Sequence, residues 1–391
     1  MSPSTFRLRG ALGCGAIVAA LVGGFTPAVM ADGGSTVGGE ALASSGLVVN
    51  APGAGPLPRL SASSYVLADL DSGAVLAALN PHGRLRPAST LKVLTAVTLL
   101  PRLDPNTGYT ARRQDANVDG SRVGIVPHAT YTVHNLFEAL FLVSGNDAAS
   151  ALANAAGGAR ATEARMQSEA RLLGALDTTV RNTSGLDARR QFSSAYDLAL
   201  FARAGLARRD FRDYVLTVRS HFPGRMPKRD KRRRSFEIYT QDRLLLNFRG
   251  AIGVKTGWTT KARGTFIGAA RRGGRTLVAT VMHTKGSPWE ESRDLLRWGF
   301  RNASRAQPVG TLNQSGAATA STVGSGTVVS SAQVASPLVA GAPVVGDGWD
   351  VPVWVWPAVL LLALLGALRA RAVVTQHRRI RSYGRTLRSY R

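Results

Sequence analysis

Residues 64–80 read SYVLADLDSGAVLAALN, two apolar runs that turn at Asp71-Ser72-Gly73. That pattern predicts a β-hairpin. Pro87 then precedes an apolar stretch expected to be helical from Ser89 to about Leu100. Leu91, Val93, Leu94, Val97, Leu99 and Leu100 cover so much of that helix that it should be largely buried. Thr132 opens another helix ending near Val143, a further one starts at Asp147, and one begun near Ser194 runs through Ala204. Ile252 to Thr256 reads as a strand, and Thr265 to Ala270 pairs with Thr276 to Met282 across Arg271–Arg275. Ser287-Pro288 caps a last helix, with Glu290 and Glu291 in its first turn and Arg297 toward its end. Strands at both ends of a helical middle predict an α+β domain with an antiparallel sheet.

The pattern weakens on either side of this region. Residues 1–31 combine Arg7 and Arg9, an apolar run from Ala11 to Val22 and the small-residue exit Val29-Met30-Ala31, as a cleaved secretory signal does. Residues 32–56, rich in Gly, Ala and Ser, read as a flexible lead to a folded domain at 57–302. Residues 303–350 read as a disordered linker, and 351–368 form an uncharged stretch just long enough to span a bilayer. Trp349, Trp354 and Trp356 crowd the outer end of that stretch, and a tail at 369–391 with eight arginines and no acid follows it. The positive-inside rule then places the domain outside the cell membrane and the tail in the cytoplasm.

The net charge is +25, but much of it sits in that tail and in Arg225–Arg234, a run that could grip anionic wall polymers or lipid headgroups. Export excludes nucleic acid as a partner. Cys14, the single cysteine, lies in the signal segment, so thiol chemistry and disulfides are excluded after cleavage. His82, His128, His134, His221 and His283 lack metal-ligand spacing, and no cofactor is called for.

Lysine is rare among the 49 cations, with six against 43 arginines, so each lysine invites an explanation. Arginine keeps its proton in a protein, whereas a desolvated lysine can become a neutral base. Lys92 closes Ser89-Thr90-Leu91-Lys92, and Lys255 opens Lys255-Thr256-Gly257. Ser144-Gly145-Asn146 lies between them, at a break between two helices. A neutral Lys92 three residues from Ser89 could take the hydroxyl proton. Ser144 suits a proton relay, and Asn146 can bond Lys92 and a substrate amide together. On the strand, Lys255 and Gly257 share a face, where the missing side chain of Gly257 would let a substrate backbone approach. The order S-x-x-K, S-x-N, K-T-G points to a serine acyl-transferase.

At these residues the chain resembles the serine-type D-alanyl-D-alanine carboxypeptidases, the low-molecular-mass penicillin-binding proteins. The stretches Pro87–Lys92, Leu142–Asp147, Asn182–Asp187, Ser194–Ala199 and Gly250–Gly257 carry the likeness. The resemblance implies a β-lactamase/transpeptidase-like fold, an antiparallel sheet flanked by helices with a helical subdomain. It implies Ser89 as nucleophile, Lys92 as general base, and Ser144 and Asn146 in proton transfer. Lys255 and Thr256 would bind the terminal carboxylate of a peptidoglycan stem peptide, with β-lactam antibiotics as further ligands. The backbone N–H groups of Ser89 and Trp258 would form the oxyanion hole. Trp258 stands where other bulky residues are usual, and the arginine-rich insertion before Phe236 is a departure. The alternatives are an endopeptidase of the same fold, a β-lactamase and a non-catalytic wall-binding or penicillin-sensing module. For the β-lactamase, Glu163 and Glu169 lack the E-x-x-L-N setting of that family.

Overall fold

The computed structural model describes residues 36–225 and 233–312. The signal segment, the 351–368 span, the basic tail and most of both the 303–350 linker and the 225–234 run lie outside the described residues. The strands are β1 (Leu47–Val49), β2 (Ser64–Asp69), β3 (Ala74–Leu79), β4 (Gly108–Thr110), β5 (Thr130–Thr132), β6 (Arg219–Pro223), β7 (Ser235–Tyr239), β8 (Ala251–Thr259), β9 (Arg263–Arg272), β10 (Arg275–Thr284) and β11 (Gly310–Thr311). The helices are α1 (Lys92–Leu99), α2 (Arg113–Ala116), α3 (Val133–Leu142), α4 (Asn146–Ala155), α5 (Ala159–Leu172), α6 (Ala195–Ala207), α7 (Arg209–Leu216), α8 (Arg243–Asn247) and α9 (Pro288–Asn302).

An antiparallel sheet in the order β1-β3-β2-β10-β9-β8 forms the base, and β11 also pairs with β3. Alternation sorts its side chains onto two faces. Leu67, Leu277, Ala279 and Val281 pack with Leu295, Leu296 and Trp298 of α9. Val66, Ala68 and Val278 face α1 and α6. Helices α2 to α5 make the helical layer beyond α1. The expected hairpin forms because Asp69 Oδ1 accepts the Asp71 and Ser72 amides and Gly73 turns at φ 82°. The β9–β10 turn is tighter than expected: Gly273 and Gly274, both at positive φ, carry it alone. Thr132 and Ser194 cap α3 and α6 by accepting the Asn135 and Asp197 amides. Ser287 precedes α9 but makes no side-chain cap.

Two boundaries differ from expectation. The lead at 32–56 is not loose over its described part: β1 pairs with β3 in register Leu47↔Leu79, and Leu42 is fully buried. Of its glycines, Gly38 serves close approach. A Cβ on Gly38 would lie 2.7 Å from the Tyr196 ring and 2.8 Å from the Thr311 carbonyl. Likewise, residues 303–312 continue the domain rather than begin a linker, because β11 pairs with β3 and Leu312 is buried. Strands from both ends thus cover one edge of the sheet, which shields β3 from other chains.

Between sheet and helical layer runs α1, whose eight residues are all buried. The single helix expected from Ser89 is instead a 3₁₀ turn at Ala88–Leu91 that passes into α1. The turn starts at Ala88 with φ 47°, and the Thr90 hydroxyl donates to the Pro87 carbonyl at 2.6 Å. The 182–185 loop lies against it: Thr95 Oγ1 donates to the Thr183 carbonyl at 2.7 Å. Gly185, at φ 85°, comes so near that a Cβ there would sit 1.8 Å from the Ala88 carbonyl oxygen. Gly257 meets the same turn from the sheet side, its Cβ position 2.9 Å from the Ser89 nitrogen and 2.4 Å from Thr265 Oγ1. The missing Gly257 side chain therefore admits the protein's own 3₁₀ turn, not a substrate backbone.

Two measurements check this packing. Leu42→Ala is expected to lose about 2–5 kcal/mol in denaturant unfolding, whereas an unchanged midpoint would mean that residues 36–56 are a loose lead after all. Gly185→Ala combines strain at positive φ with a backbone clash, so a loss above roughly 3 kcal/mol is expected by the same assay.

Candidate active site

Ser89 and Lys92 lie on the 3₁₀ turn and at its exit, where residues three apart eclipse one another. Lys92 Nζ is 3.0 Å from Ser89 Oγ, 2.7 Å from Asn146 Oδ1 and 2.7 Å from the Ser184 carbonyl oxygen. The last two are acceptors only. Asn146 cannot be turned round, because its Nδ2 donates to the Asp119 carbonyl at 2.6 Å. A neutral amine has two N–H bonds and one lone pair. In that form both N–H bonds are committed to Asn146 and Ser184, which aims the lone pair at the Ser89 hydroxyl.

The electrostatics agree with that count. Complete burial holds Lys92 well below the usual lysine pKa, and the nearby Lys255 charge lowers it further, against an opposing pull from Asp147. Asp147 itself is fully buried and accepts the amides of Val123, Gly124, Ile125 and Ala148 at 2.8–3.1 Å. It thereby pins the 119–125 segment against α4. That segment supplies the Asp119 carbonyl and, through Ser121, an acceptor for the Asn146 amide at 2.7 Å.

Ser144 sits in the break between α3 and α4 at φ 58°, a strained backbone for a non-glycine residue. Its hydroxyl is buried without a hydrogen-bond partner among the described residues. Both features cost stability, about 1–3 kcal/mol for an unmade buried hydrogen bond alone. Lys255, on β8, is 1% exposed, and its Nζ donates to the Thr256 carbonyl at 2.9 Å. Burial pushes Lys255 down to about 8, opposed by the Asp242 carboxylate. Thr256 is half-buried, and Trp258 stands 68% exposed at the rim.

A cleft of about 630 Å³ opens over this cluster, lined by Ser89, Asp119, Asn146, Leu186, Asp187 and Trp258 among others. Asp187 is tied to β8 by Thr259 Oγ1 at 3.1 Å. The structure therefore gathers Ser89, Lys92 and Asn146 into one hydrogen-bonded group, with Trp258 on the cleft and Lys255 close enough to act on Lys92. Glu163 and Glu169 do not line the cleft. Among the described residues no His, Cys, Asp and Glu cluster could hold a metal ion.

Reading the residues missed the Ser184 carbonyl, the clamp made by Asp147 and the 119–125 segment. Main-chain acceptors leave no mark in a sequence. Asp147, which follows Asn146 directly, was visible only as a helix start and as part of the family likeness, and the Asn182–Asp187 stretch only as part of that likeness.

Comparison with known proteins agrees with this geometry. The model of the D-alanyl-D-alanine carboxypeptidase family matches residues 50–286. D-alanyl-D-alanine carboxypeptidase DacB2 of Mycobacterium tuberculosis is 40% identical over 259 residues, covering 64% of this chain and 87% of that protein. D-alanyl-D-alanine carboxypeptidase DacF of Bacillus subtilis is 29% identical over 226 residues, 56% of this chain, and is spanned over 57% of its own length. The crystal structure of a D-alanyl-D-alanine carboxypeptidase from Mycobacterium tuberculosis superposes with a TM-score of 0.63 at 39% identity, covering 68% of this chain and all of that one. The matched region contains the 3₁₀ turn, the α3–α4 break and β8, and the chain belongs to the D-alanyl-D-alanine carboxypeptidase family.

Proposed function

We propose that this protein is a serine-type D-Ala-D-Ala carboxypeptidase that removes the terminal D-Ala from peptidoglycan stem peptides. One observation carries the reading: the Lys92 amine is buried 3.0 Å from Ser89 Oγ and between two obligate acceptors, so that in its neutral form the lone pair is left for Ser89. In the proposed reaction Ser89 Oγ attacks the carbonyl carbon of the penultimate D-Ala as its proton passes to Lys92 Nζ. The oxyanion is held by the backbone N–H groups of Ser89 and Trp258. Ser144, whose hydroxyl lacks a partner, relays a proton to the leaving amine, terminal D-Ala departs, and water hydrolyses the Ser89 ester. Lys255 and Thr256 bind the substrate's terminal carboxylate. A β-lactam presents the same acyl group and would acylate Ser89.

The tether is part of the proposal and rests on sequence alone. An exported domain held by a span at 351–368 would work on wall outside the membrane, with the basic tail inside. Among the described residues no helix is long and apolar enough to cross a membrane.

The function is tested by incubating the protein with penicillin and following intact mass. A persistent adduct mapping to Ser89, absent in Ser89→Ala, is expected. Rapid loss of the adduct with drug hydrolysis would instead make it a β-lactamase. Release of D-Ala from a pentapeptide, but not cleavage of cross-linked dimers, separates carboxypeptidase from endopeptidase.

The pH profile tests the role of Lys255. It loses its proton above about pH 8, so carboxylate binding weakens and kcat/KM for the pentapeptide should fall roughly tenfold per pH unit beyond that point. Lys255→Arg keeps its charge throughout. A lower but flat profile between about pH 8 and 10 is expected for it, and an unchanged alkaline limb would remove Lys255 from carboxylate binding.

A further inference from the structure

A second cavity, also of about 630 Å³, opens at the other end of β8. Its apolar wall is Leu70, Leu206 and Ile252, and its polar wall is Arg203 of α6, Arg212 of α7, Arg271 of β9 and Asp71. Ile252 precedes Trp258 by six residues along β8, roughly 20 Å at the rise of a strand. The cavity is thus separate from the cleft over Ser89.

The three arginines have no carboxylate partner among the described residues, although acids are nearby. Asp210 pairs with Arg208, Asp213 with Arg209 and Asp69 with Arg275. Asp71, inside the cavity, turns Oδ2 to the Thr276 amide at 2.7 Å. Arg203 donates Nη1 to the Leu312 carbonyl at 2.5 Å, and Arg212 donates Nη1 to the Leu206 and Ala207 carbonyls at 2.7 and 3.0 Å. Each guanidinium has five N–H bonds. Most of these donors therefore remain for a ligand, and main-chain anchors already hold Arg203 and Arg212 in place.

We propose that this cavity binds a phosphoryl group, carried by a small phosphate ester or by a lipid headgroup. Three guanidinium charges less one carboxylate leave a net charge of two, which matches a phosphate monoester dianion. The planar fork of arginine fits pairs of phosphate oxygens. Leu70, Leu206 and Ile252 offer an apolar wall to the organic part. The inference does not depend on the carboxypeptidase reading.

Calorimetric titration of the full-length protein tests it, with glycerol phosphate in one arm and dibutanoyl phosphatidic acid, whose short chains keep it soluble, in the other. Saturable binding at one site per chain is expected. Arg212→Gln and Arg271→Gln should each weaken it roughly tenfold or more. Arg209→Gln, on the same helix as Arg212 but outside the cavity, should leave it unchanged. The Arg271 side chain has no main-chain anchor among the described residues, so its variant stays informative even where Arg212→Gln disturbs α7. Tenfold tighter binding of the phosphatidic acid would identify a lipid headgroup, and equal binding a free phosphate ester. No saturable binding, or an equal loss in Arg209→Gln, would overturn the site.

Discussion

The site rests on one buried amine. Lys92 has no exposure to solvent, and its surroundings supply two acceptors and one hydroxyl within 3.0 Å. A charged ammonium there would lack water and stand near a second buried lysine. Desolvation, the larger effect, drives it toward the neutral form. The surrounding structure can be understood as what keeps that amine dry and oriented. Helix α1 is buried along its whole length, the 182–185 loop closes one side, and Asn146 at the start of α4 closes another.

Holding these pieces together costs stability in identifiable places. Ala88 and Ser144, the residues at the entrance to the 3₁₀ turn and in the α3–α4 break, both adopt positive φ. Each such position costs on the order of 1–3 kcal/mol and persists only where its surroundings over-determine it. At Ala88 they do so from both sides, with Gly185 against its carbonyl and Gly257 against the amides that follow. At Ser144 the buried hydroxyl lacks a partner. Under the proposed function a bound substrate completes its bonding, so the strain and the unmade bond lie where chemistry is expected.

Lys255 shows how one strand can serve both packing and chemistry. It sits on β8 beside Gly257, whose bare Cα lets the sheet touch the Ser89 turn. Its own burial lowers its pKa to about 8, leaving it cationic at neutral pH. Two buried lysines are thus both pushed down from the usual lysine range, by different surroundings. Desolvation dominates at each, but Lys92 also meets a second cation, while Lys255 feels the Asp242 carboxylate, itself pushed up to about 6 by burial.

Local patterns were enough to identify the hairpin at 64–79, the helices that follow Thr132 and Ser194, the strands β8 to β10 and the order of the three motifs. Apolar periodicity and capping residues act over a few positions, so a sequence displays them directly. Scarcity of lysine singled out Lys92 and Lys255 for the same reason. Long-range placement decided the rest. Gly-rich residues 36–56 and the 303–312 segment looked loose, yet β1 and β11 share the edge of β3 because that strand has hydrogen bonds to satisfy. The expected helix at Ser89 became a 3₁₀ turn under two glycines from distant segments. The order of residues by itself determined that a lysine stands three residues from a serine. Only the fold determined that its pKa is driven down and its amine oriented, since burial and the Ser184 carbonyl, 92 residues away, exist only once the chain has closed around it.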